Sequence, residues 1–434
     1  MANILFVTGD YYPYFSPNGS VIKNIIDELK KEHSVVVLST KNRIGLETKI
    51  SYDNYEIHRV NNYYSMLYNY SSLKYKNSES VISKQFFNKL LQSKRLLYFL
   101  YKAISKNSLN KNLINLQIKQ MSKIYTEFKF DVIIPISMPI ENIVSAIRYT
   151  ELNNQSIHVI PYQIDHFADS PTLHGNKLLK KIKFKSNLKM EEEILQQSSY
   201  YFIFPQIDNH MKKYHSSMVE KDKIIVTEHP LIVDKSKTHS ISKYRFNKNK
   251  INLVFSGMLN VKVRNPNYLL NIMNLLSEEN KLCLNFFHVG DCDAIINSYK
   301  NKLGENLQNH GQVSLKESFE AMNEANILIS LGVIGGNQVS GKIFDYFSVG
   351  KPIIHLYYFD EDPNLKYLSK YPLSLCIKID PKMNKENARK IHQFCIENYN
   401  KKIDYPSVEK IFEDATPKYV SDKFNEKIKK LINC

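Results

Sequence analysis

Short apolar runs alternate with amphipathic stretches along most of the chain. The apolar run Asn3–Thr8 precedes a loop with prolines and glycines, and Ser20–Lys31 then carries apolar residues every three or four positions. A second apolar run, Ser34–Ser39, follows. This order predicts a strand, a loop that includes Gly19, a helix and a parallel strand, which form a βαβ unit. Doubly wound sheets bind ligands at the carboxyl ends of strands, so this loop is a candidate binding element.

The alternation starts again at Ile251–Ser256, after a polar, lysine-rich stretch. We therefore predict an α/β protein with two Rossmann-like domains facing across a cleft. The expected parts are an N-terminal domain (1–232), a linker (233–250), a second domain (251–405) and a C-terminal part (406–434) with one long helix, Val408–Ile432.

One segment of the N-terminal half interrupts the alternation. Residues 61–112 are rich in Tyr, Lys, Asn and Ser, and Ser83–Asn107 combines helical apolar spacing with a lysine-rich polar side. This pattern predicts a basic amphipathic helix, which suits an anionic membrane surface. A helix that faces the core and exposes its basic side is an equally open interpretation.

Composition narrows the classes of partner. The formal net charge of +16 indicates an anionic partner: nucleic acid, acidic lipid or a sugar nucleotide. No RNP, zinc or helix-turn-helix motif supports nucleic acid. No apolar run approaches the roughly 18 residues of a transmembrane helix. The five cysteines form no CxxC pair, as expected of a reducing cytoplasm, and Met1–Thr8 resembles a buried strand and not a signal peptide.

The segment Gly335–Ile354 carries the clearest local signal for a ligand. An apolar run, Ile327–Leu331, leads into a glycine-rich turn and a short amphipathic helix. Such a turn places free N–H groups at a helix N-terminus, which is a common phosphate site. Lys342 lies in the first turn, and Asp345 lies one turn further on the same face. A ligand with a diphosphate and a ribose diol would use these features, whereas an ordinary βαβ crossover is the alternative.

Several of these segments together resemble a known family. The residues that carry the resemblance are Gly257, Arg264, Gly311–Ser314, Gly341–Tyr346 and Gly350–Pro352. The chain resembles the GT-B-fold glycosyltransferases, and most closely the retaining family-4 group of bacterial polysaccharide synthesis. The resemblance spans nearly the whole chain and implies two Rossmann-like domains with a C-terminal helix that packs back on the N-terminal domain.

The resemblance also implies roles for the residues of the glycine-rich segment. The family has a pair of glutamates, which fall here on Asn337 and Asp345, eight positions apart. Asp345 keeps the carboxylate that binds the donor ribose. Asn337 lacks the charge of the acid that contacts the transferred sugar, which leaves the sugar and the choice between retention and inversion open. Gln338 and Ser340 belong to the same donor-binding segment.

The donor diphosphate is expected to meet basic residues of the second domain. Of the two basic positions in the family, the first holds Met258, and Arg264 matches the second with Lys262 in reserve. Lys342 compensates for the missing cation. Gly257 belongs to the same glycine loop, and the loop Gln312, Val313 and Ser314 matches the one that cups the base in the family.

The first domain supplies the remaining candidates. Asp165 and His166 follow a predicted strand, Ile157–Ile164, so they are expected at its carboxyl end, where the family has a pocket histidine. With Asn337 they are the candidate catalytic residues, although a surface Asp-His pair is an open alternative. Gly19 would let the backbone approach the donor closely. No metal site is expected, since Asp291-Cys292-Asp293 is a weak candidate, and no cofactor is implied.

The resemblance implies a metal-independent hexosyltransferase. It would move a sugar from a UDP- or GDP-linked donor to a hydroxyl of a glycan or lipid-linked glycan, in capsule or lipopolysaccharide biosynthesis. The expected location is the cytoplasm, peripheral on the inner face of the cell membrane. The alternatives are an inverting transferase, a sugar-nucleotide epimerase, or a basic protein that binds nucleic acid or a membrane surface.

Overall fold

A computed structural model of the protein describes residues 1–13, 17–105, 107–153, 156–170, 173, 177–219, 221–235, 244, 246–277, 281–336 and 339–433. The chain divides into two compact units. The first unit comprises Met1–Pro230 and the chain from Pro417 on, and the second comprises Leu231–Thr416. Residues 236–243 and 245 of the predicted linker lie outside the described part.

The first unit is built on a parallel sheet with one antiparallel edge. Its strands are β1 (Asn3–Val7), β2 (Ser34–Lys41), β3 (Lys49–Tyr52), β4 (Tyr55–Asn61), β5 (Val132–Pro135) and β6 (His158–Val159). They lie in the order β3-β4-β2-β1-β5-β6, and only β3 and β4 pair antiparallel. A small parallel sheet contains β7 (Tyr162–Gln163), β8 (Tyr201–Ile203) and β9 (Ile224–Val226).

The single strand predicted over Ile157–Ile164 is divided between these two sheets. The N–H of Ile160 still donates to Ile133 on β5, at 2.9 Å. Pro161 has no N–H to continue this ladder, and its carbonyl accepts from Phe202 on β8, at 2.8 Å. The prediction of one continuous strand was therefore wrong, because the chain changes sheets at the proline.

Helices cover the sheets of the first unit. They are α1 (Pro17–Leu29), α2 (Tyr63–Asn77), α3 (Val81–Ile104), α4 (Lys111–Glu127), α5 (Glu141–Asn153), α6 (Lys177–Gln197), α7 (Pro205–Tyr214) and α8 (Ser216–Val219). The helix predicted over Ser83–Asn107 is α3, which pairs with α2, a helix that the apolar spacing did not reveal. The Tyr64 and Tyr98 rings stack at 4.3 Å, and Lys94 Nζ donates to the carbonyl of Leu67 at 2.8 Å.

The second unit contains a parallel six-stranded sheet. Its strands are β10 (Ile251–Leu259), β11 (Leu282–Gly290), β12 (Leu307–Gly311), β13 (Ile327–Leu331), β14 (Ile353–Tyr357) and β15 (Ser374–Lys378), in the order β12-β11-β10-β13-β14-β15. Its helices are α9 (Asn267–Leu275), α10 (Asp293–Ser298), α11 (Lys300–Leu303), α12 (Leu315–Glu324), α13 (Gly341–Val349), α14 (Leu365–Leu368), α15 (Asn384–Asn398) and α16 (Tyr405–Ile411). Buried aliphatic and aromatic side chains form a core on each side of this sheet.

The long C-terminal helix predicted over Val408–Ile432 is interrupted. Helix α16 ends at Ile411, and a new helix, α17 (Pro417–Ile432), begins after an extended Thr416 with ψ 148°. The cause is Pro417, which disfavours a helical conformation in the residue before it.

Helix α17 packs on the first unit, as predicted for the C-terminal helix. Phe424 is fully buried, and its ring stacks on Phe202 with 3.7 Å between centroids and contacts Tyr162 edge to face at 5.3 Å. The Ser421 hydroxyl donates to the carbonyl of Ile25 on α1. None of the helices in the described part of the chain combines the length and apolar content that a bilayer crossing requires.

Replacing Phe424 with Ala should lower the free energy of unfolding of the first unit by about 3–5 kcal/mol, because it removes a buried ring and leaves a cavity. Urea denaturation followed by circular dichroism measures the change. Lys430→Ala, on the exposed side of α17 and paired with the exposed Glu426, is the control and should cost less than about 1 kcal/mol. Equal effects of the two substitutions would contradict this packing.

Candidate functional site

The strand order of the second unit defines a switch point between β10 and β13. Counted along the chain the order is 3-2-1-4-5-6, and in such sheets ligands bind outside the carboxyl ends of the strands where the order reverses. Gly257 lies near the carboxyl end of β10, Arg264 lies in the turn that follows, and Lys342 and Asp345 lie on α13 after β13. These four predicted donor residues therefore lie on the same edge of the sheet.

Tyr346 attaches α13 to the two strands of the switch point. Its fully buried hydroxyl accepts from the N–H of Ser256 on β10 at 3.1 Å and donates to the carbonyl of Ile329 on β13 at 3.0 Å. One side chain thus sets the position of the first turn of α13 relative to both strand ends. This role was not predictable from the sequence, because an apolar face accommodates a tyrosine as readily as a phenylalanine.

Arg264 is held in a tight turn against the glycine-rich loop. Asn260 and Arg264 exchange two backbone hydrogen bonds of 3.0 and 2.9 Å, and Ile334 of the loop donates to the same turn. Asp291 accepts from Val261 N–H at 2.9 Å and from the Asn260 amide at 3.0 Å. Asp291, the weak metal candidate, therefore stabilises the turn that holds Arg264.

The Arg264 side chain is poised for an anion. Burial lowers the pKa of its guanidinium, and the nearby Tyr346 and Asp362 partly oppose that shift. Its Nε is buried, and no residue in the described ranges accepts a hydrogen bond from it. Buried donors of this kind are rare in native structures, so a ligand oxygen is the natural partner.

Asp345 lies between two lysines over an aromatic ring. One carboxylate oxygen pairs with Lys235, and the other lies 3.2 Å from Lys342 Nζ. The two ammonium groups lie 3.9 Å and 5.0 Å from the centroid of the Phe319 ring on α12. Burial lowers the pKa of Lys235, and the attraction of Asp345 opposes this. The cluster carries one excess positive charge, and sequence reasoning missed Lys235, which is 110 positions from Asp345.

The N-terminus of α13 begins at Ser340. Its side chain does not cap the helix, and its N–H donates to the Asn364 side chain at 2.9 Å. The first-turn N–H groups of a helix have no partner within the helix, so they add positive potential beside Lys342. Asn337 and Gln338 lie outside the described residues.

In the predicted base-binding loop, Ser314 has a structural role as the N-cap of α12. Ser314 forms a capping box with Glu317: its hydroxyl accepts at 3.2 Å, and its N–H donates at 2.9 Å. Both polar groups of Ser314 are therefore used to start α12. Gln312 lies exposed next to β12, and Val313 packs against the core of the second unit.

In the first unit, Asp165 and His166 line a cavity of about 400 Å³ at the carboxyl ends of the strands. Thr8 after β1, Thr40 on β2 and Ser137 after β5 line the same cavity. Burial raises the pKa of the Asp165 carboxyl, although a 3.1 Å hydrogen bond from the N–H of His166 opposes the shift. The structure thus places both residues in a pocket.

The prediction that Gly19 lies in the loop after β1 was wrong. Helix α1 begins at Pro17, so Gly19 lies in its first turn and is buried. Its neighbour Asn18 lines the cavity. The glycine requirement lies instead at Gly9, where a Cβ would approach the carbonyl oxygen of Met138 to 2.5 Å.

A chain of charged groups leads from His166 into the interior. His166 Nδ1 lies 2.9 Å from Asp169, whose other oxygen lies 3.1 Å from His210 Nδ1. His210 Nε2 and His215 Nε2 both contact Glu191 Oε2, at 2.9 and 3.2 Å. Burial alone would lower the pKa of His210, but Asp169 and Glu191 together raise it to about 9. Sequence reasoning missed these four residues, which lie on three separate segments.

Among the described residues, one group could hold a metal ion by its composition. The ligand atoms of Glu191, His210 and His215 lie within 4.8 Å of one another. The Nε2 atoms of both histidines already contact Glu191 Oε2, and Glu191 Oε1 accepts from the N–H of Ala168 at 3.0 Å. These contacts occupy the same ligand atoms that an ion would need.

No model of a known protein family matches the sequence, and neither does any curated protein. Solved structures do match. Sucrose-phosphate synthase from Thermosynechococcus elongatus is 8% identical over 100% of both chains, with a TM-score of 0.62. UDP-GlcNAc 2-epimerase from Neisseria meningitidis, bound to UDP-GlcNAc, is 14% identical over 99% of this chain and 100% of that one, with a TM-score of 0.53.

A lipopolysaccharide outer core galactosyltransferase is 11% identical over 98% of this chain and 99% of that one, with a TM-score of 0.50. Identities this low report on the fold alone. Since these structures match along the whole chain, and both units have the expected parallel sheets, the chain has the GT-B fold of such glycosyltransferases.

Proposed function

We propose that the chain is a glycosyltransferase that moves a sugar from a nucleotide-sugar donor to a hydroxyl of a glycan acceptor. The observation that carries this proposal is the set of cations at the switch point of the second unit. Three features belong to one sheet edge: Arg264, whose buried Nε has no partner in the part of the chain that the structure describes, the Lys235–Asp345–Lys342 cluster and the start of α13. A nucleoside diphosphate offers the phosphates and the ribose diol that these groups can bind.

The second unit would bind the donor, and the first unit would bind the acceptor. As the glycosidic bond to the diphosphate breaks, negative charge grows on the leaving group and positive charge on the sugar ring. Arg264, Lys342 and the first-turn N–H groups of α13 would stabilise the leaving diphosphate. Asp345 would accept hydrogen bonds from the ribose hydroxyls, and Asp165 and His166 would contact a sugar in the cavity of the first unit.

The donor class is proposed to be UDP-linked, with a hexose as the transferred sugar. The Neisseria epimerase, which shares the fold, is bound to UDP-GlcNAc, and the resemblance to family-4 enzymes implies retention. The same resemblance supports a place in capsule or lipopolysaccharide synthesis in the cytoplasm, at the inner face of the membrane, where a lipid-linked glycan would be the acceptor.

The epimerase structure favours a second candidate, a sugar-nucleotide epimerase. Proton NMR of a UDP-sugar panel separates the two activities. A transferase releases UDP and forms a new glycosidic bond when an acceptor is present. An epimerase converts the donor into its stereoisomer without releasing UDP. Neither change with any nucleotide sugar would contradict both candidates.

Replacing Asp345 with Ala should weaken UDP binding at least tenfold, because it removes a charged acceptor worth about 1.5–3 kcal/mol. Calorimetric titration with UDP measures the loss. Pyrophosphate, which has no ribose, is the control ligand. It should bind the variant at least as tightly, since Lys235 and Lys342 lose their carboxylate partner.

Asp360→Ala is the matched protein control, because Asp360 also pairs with a lysine, Lys378, but on the exposed surface of the same unit. It should leave UDP binding unchanged. Equal binding of UDP by the Asp345 variant and the native chain would remove Asp345 from the ribose site.

The paired helices α2 and α3 are proposed to contact an anionic membrane. Large apolar side chains of α3 are exposed, among them Ile82 (80%), Leu97 (66%) and Ile104 (86%). Exposed lysines, Lys84 and Lys89, lie on the same helix. Apolar groups that enter the interface, together with basic groups that attract acidic lipid, are the features of a surface-bound helix.

A Lys84→Gln/Lys89→Gln variant should bind vesicles of phosphatidylglycerol and phosphatidylcholine about 30-fold more weakly, since each lysine near such a surface contributes about 1 kcal/mol. Flotation of the protein with the vesicles measures binding. Lys300→Gln/Lys382→Gln removes the same charge from exposed sites of the second unit and should have little effect. Equal binding by both double variants, or none by the native chain, would contradict the proposed surface.

A further inference from the structure

The groups behind the cavity of the first unit fix the protonation pattern of His166. An ionised carboxylate only accepts hydrogen bonds. His166 Nδ1, 2.9 Å from Asp169 Oδ1, therefore carries the proton that it shares with Asp169. In the neutral ring this leaves Nε2 as an acceptor. His166 lines the cavity, and no residue in the described ranges hydrogen-bonds to its Nε2.

Asp169 is itself held by a contact with a second histidine, His210. Its second oxygen makes an ion-pair contact of 3.1 Å with His210 Nδ1. His210 Nε2 lies 2.9 Å from Glu191 Oε2, and both side chains are at most 3% exposed. Burial alone would lower the pKa of His210, but the carboxylates at its two nitrogens raise it to about 9, which favours the imidazolium form at neutral pH. His210 ties Asp169 to the interior, and its positive charge offsets part of the negative charge that Asp169 places beside His166.

The side chains of Asp169, Glu191, His210 and His215 come from three separate segments, which makes their arrangement rigid. Asp169 follows β7, Glu191 lies on α6 and His210 lies on α7. Glu191 is anchored further by the N–H of Ala168, at 3.0 Å, and by His215 Nε2, at 3.2 Å. A surface Asp-His pair needs no such support. Burial of the charged Glu191 and His210 costs free energy that their pairing must offset. The half-buried Asp169 links this pair to the His166 ring, which lines the cavity.

We propose that Asp169, held by His210 and Glu191, is a positioning residue that fixes the His166 ring as the Nδ1–H tautomer, with Nε2 turned to the cavity as a hydrogen-bond acceptor. The group that Nε2 accepts from is a hydroxyl of a sugar bound in the first unit. Only this last step rests on the proposed glycosyltransferase function. The tautomer and its dependence on Asp169 are properties of the protein alone.

Long-range nitrogen–proton NMR of the histidine rings tests the proposal on the full chain, with the His166 signals identified by their loss in His166→Gln. The native protein should show neutral His166 protonated at Nδ1. Asp169→Asn should give a mixture of tautomers, because an amide both donates and accepts. Asp208→Asn, which changes a half-buried carboxylate paired with exposed Lys212 on α7, should leave the His166 signals unchanged.

Turnover supplies the second readout. With a UDP-sugar that the native chain uses, Asp169→Asn should lower kcat about 100-fold, the loss expected for a misplaced group. The KM for the donor should change less than about twofold, since the donor phosphates bind in the other unit. Asp208→Asn should preserve both constants.

Three results would overturn the assignment. They are native His166 protonated at Nε2, an Asp169→Asn protein with unchanged tautomer and kcat, and stoichiometric zinc in the purified protein, since His210 Nε2 would then bind the ion and not Glu191. If Asp169→Asn does not fold, the native tautomer still decides. The predicted tautomers without turnover of any nucleotide sugar would refute the glycosyltransferase proposal and leave the positioning role intact.

Discussion

The second unit depends on the way its strand order reverses between β10 and β13, and Tyr346 holds that point together. Its hydroxyl hydrogen-bonds to Ser256 and Ile329, so the helix that carries Lys342 and Asp345 cannot move independently of the strand that leads to Arg264. A parallel sheet collects the carboxyl ends of its strands at one edge. The tyrosine turns this general property into a defined spacing between cations that are far apart in sequence.

That spacing places three cations near one sheet edge. Arg264 Nε is buried and has no acceptor among the described residues, and Asp345 shares its charge between Lys235 and Lys342. Burying cations in this way destabilises the folded protein, and binding of a diphosphate would offset that destabilisation. In the first unit, by contrast, His210 lies between the carboxylates of Asp169 and Glu191, and Asp169 also contacts Nδ1 of His166, which lines the cavity.

Much of this architecture was predictable, because apolar runs separated by amphipathic stretches reveal parallel strands and helices. Strand β13 and the predicted helix at α13 follow from local pattern, as does the placement of Asp165 at a strand end. Long-range features were not predictable. Lys235 joins Asp345 across 110 residues, and the partners of His166 come from three segments. One feature of the sequence did point to these partners: Glu191 and His210 occupy core-facing helical positions, where an ionisable residue needs a partner.

The central claim is that the switch point of the second unit binds the diphosphate of a nucleotide sugar. Its most direct test is calorimetric titration of UDP into the native chain and into Arg264→Met, which keeps an unbranched side chain as far as the Nε position and removes the guanidinium. The account predicts UDP binding by the native chain and an affinity at least tenfold lower in the variant, since a charge-assisted hydrogen bond contributes about 1.5–3 kcal/mol. Equal affinity in a folded variant, or no binding of UDP by the native chain, would contradict it.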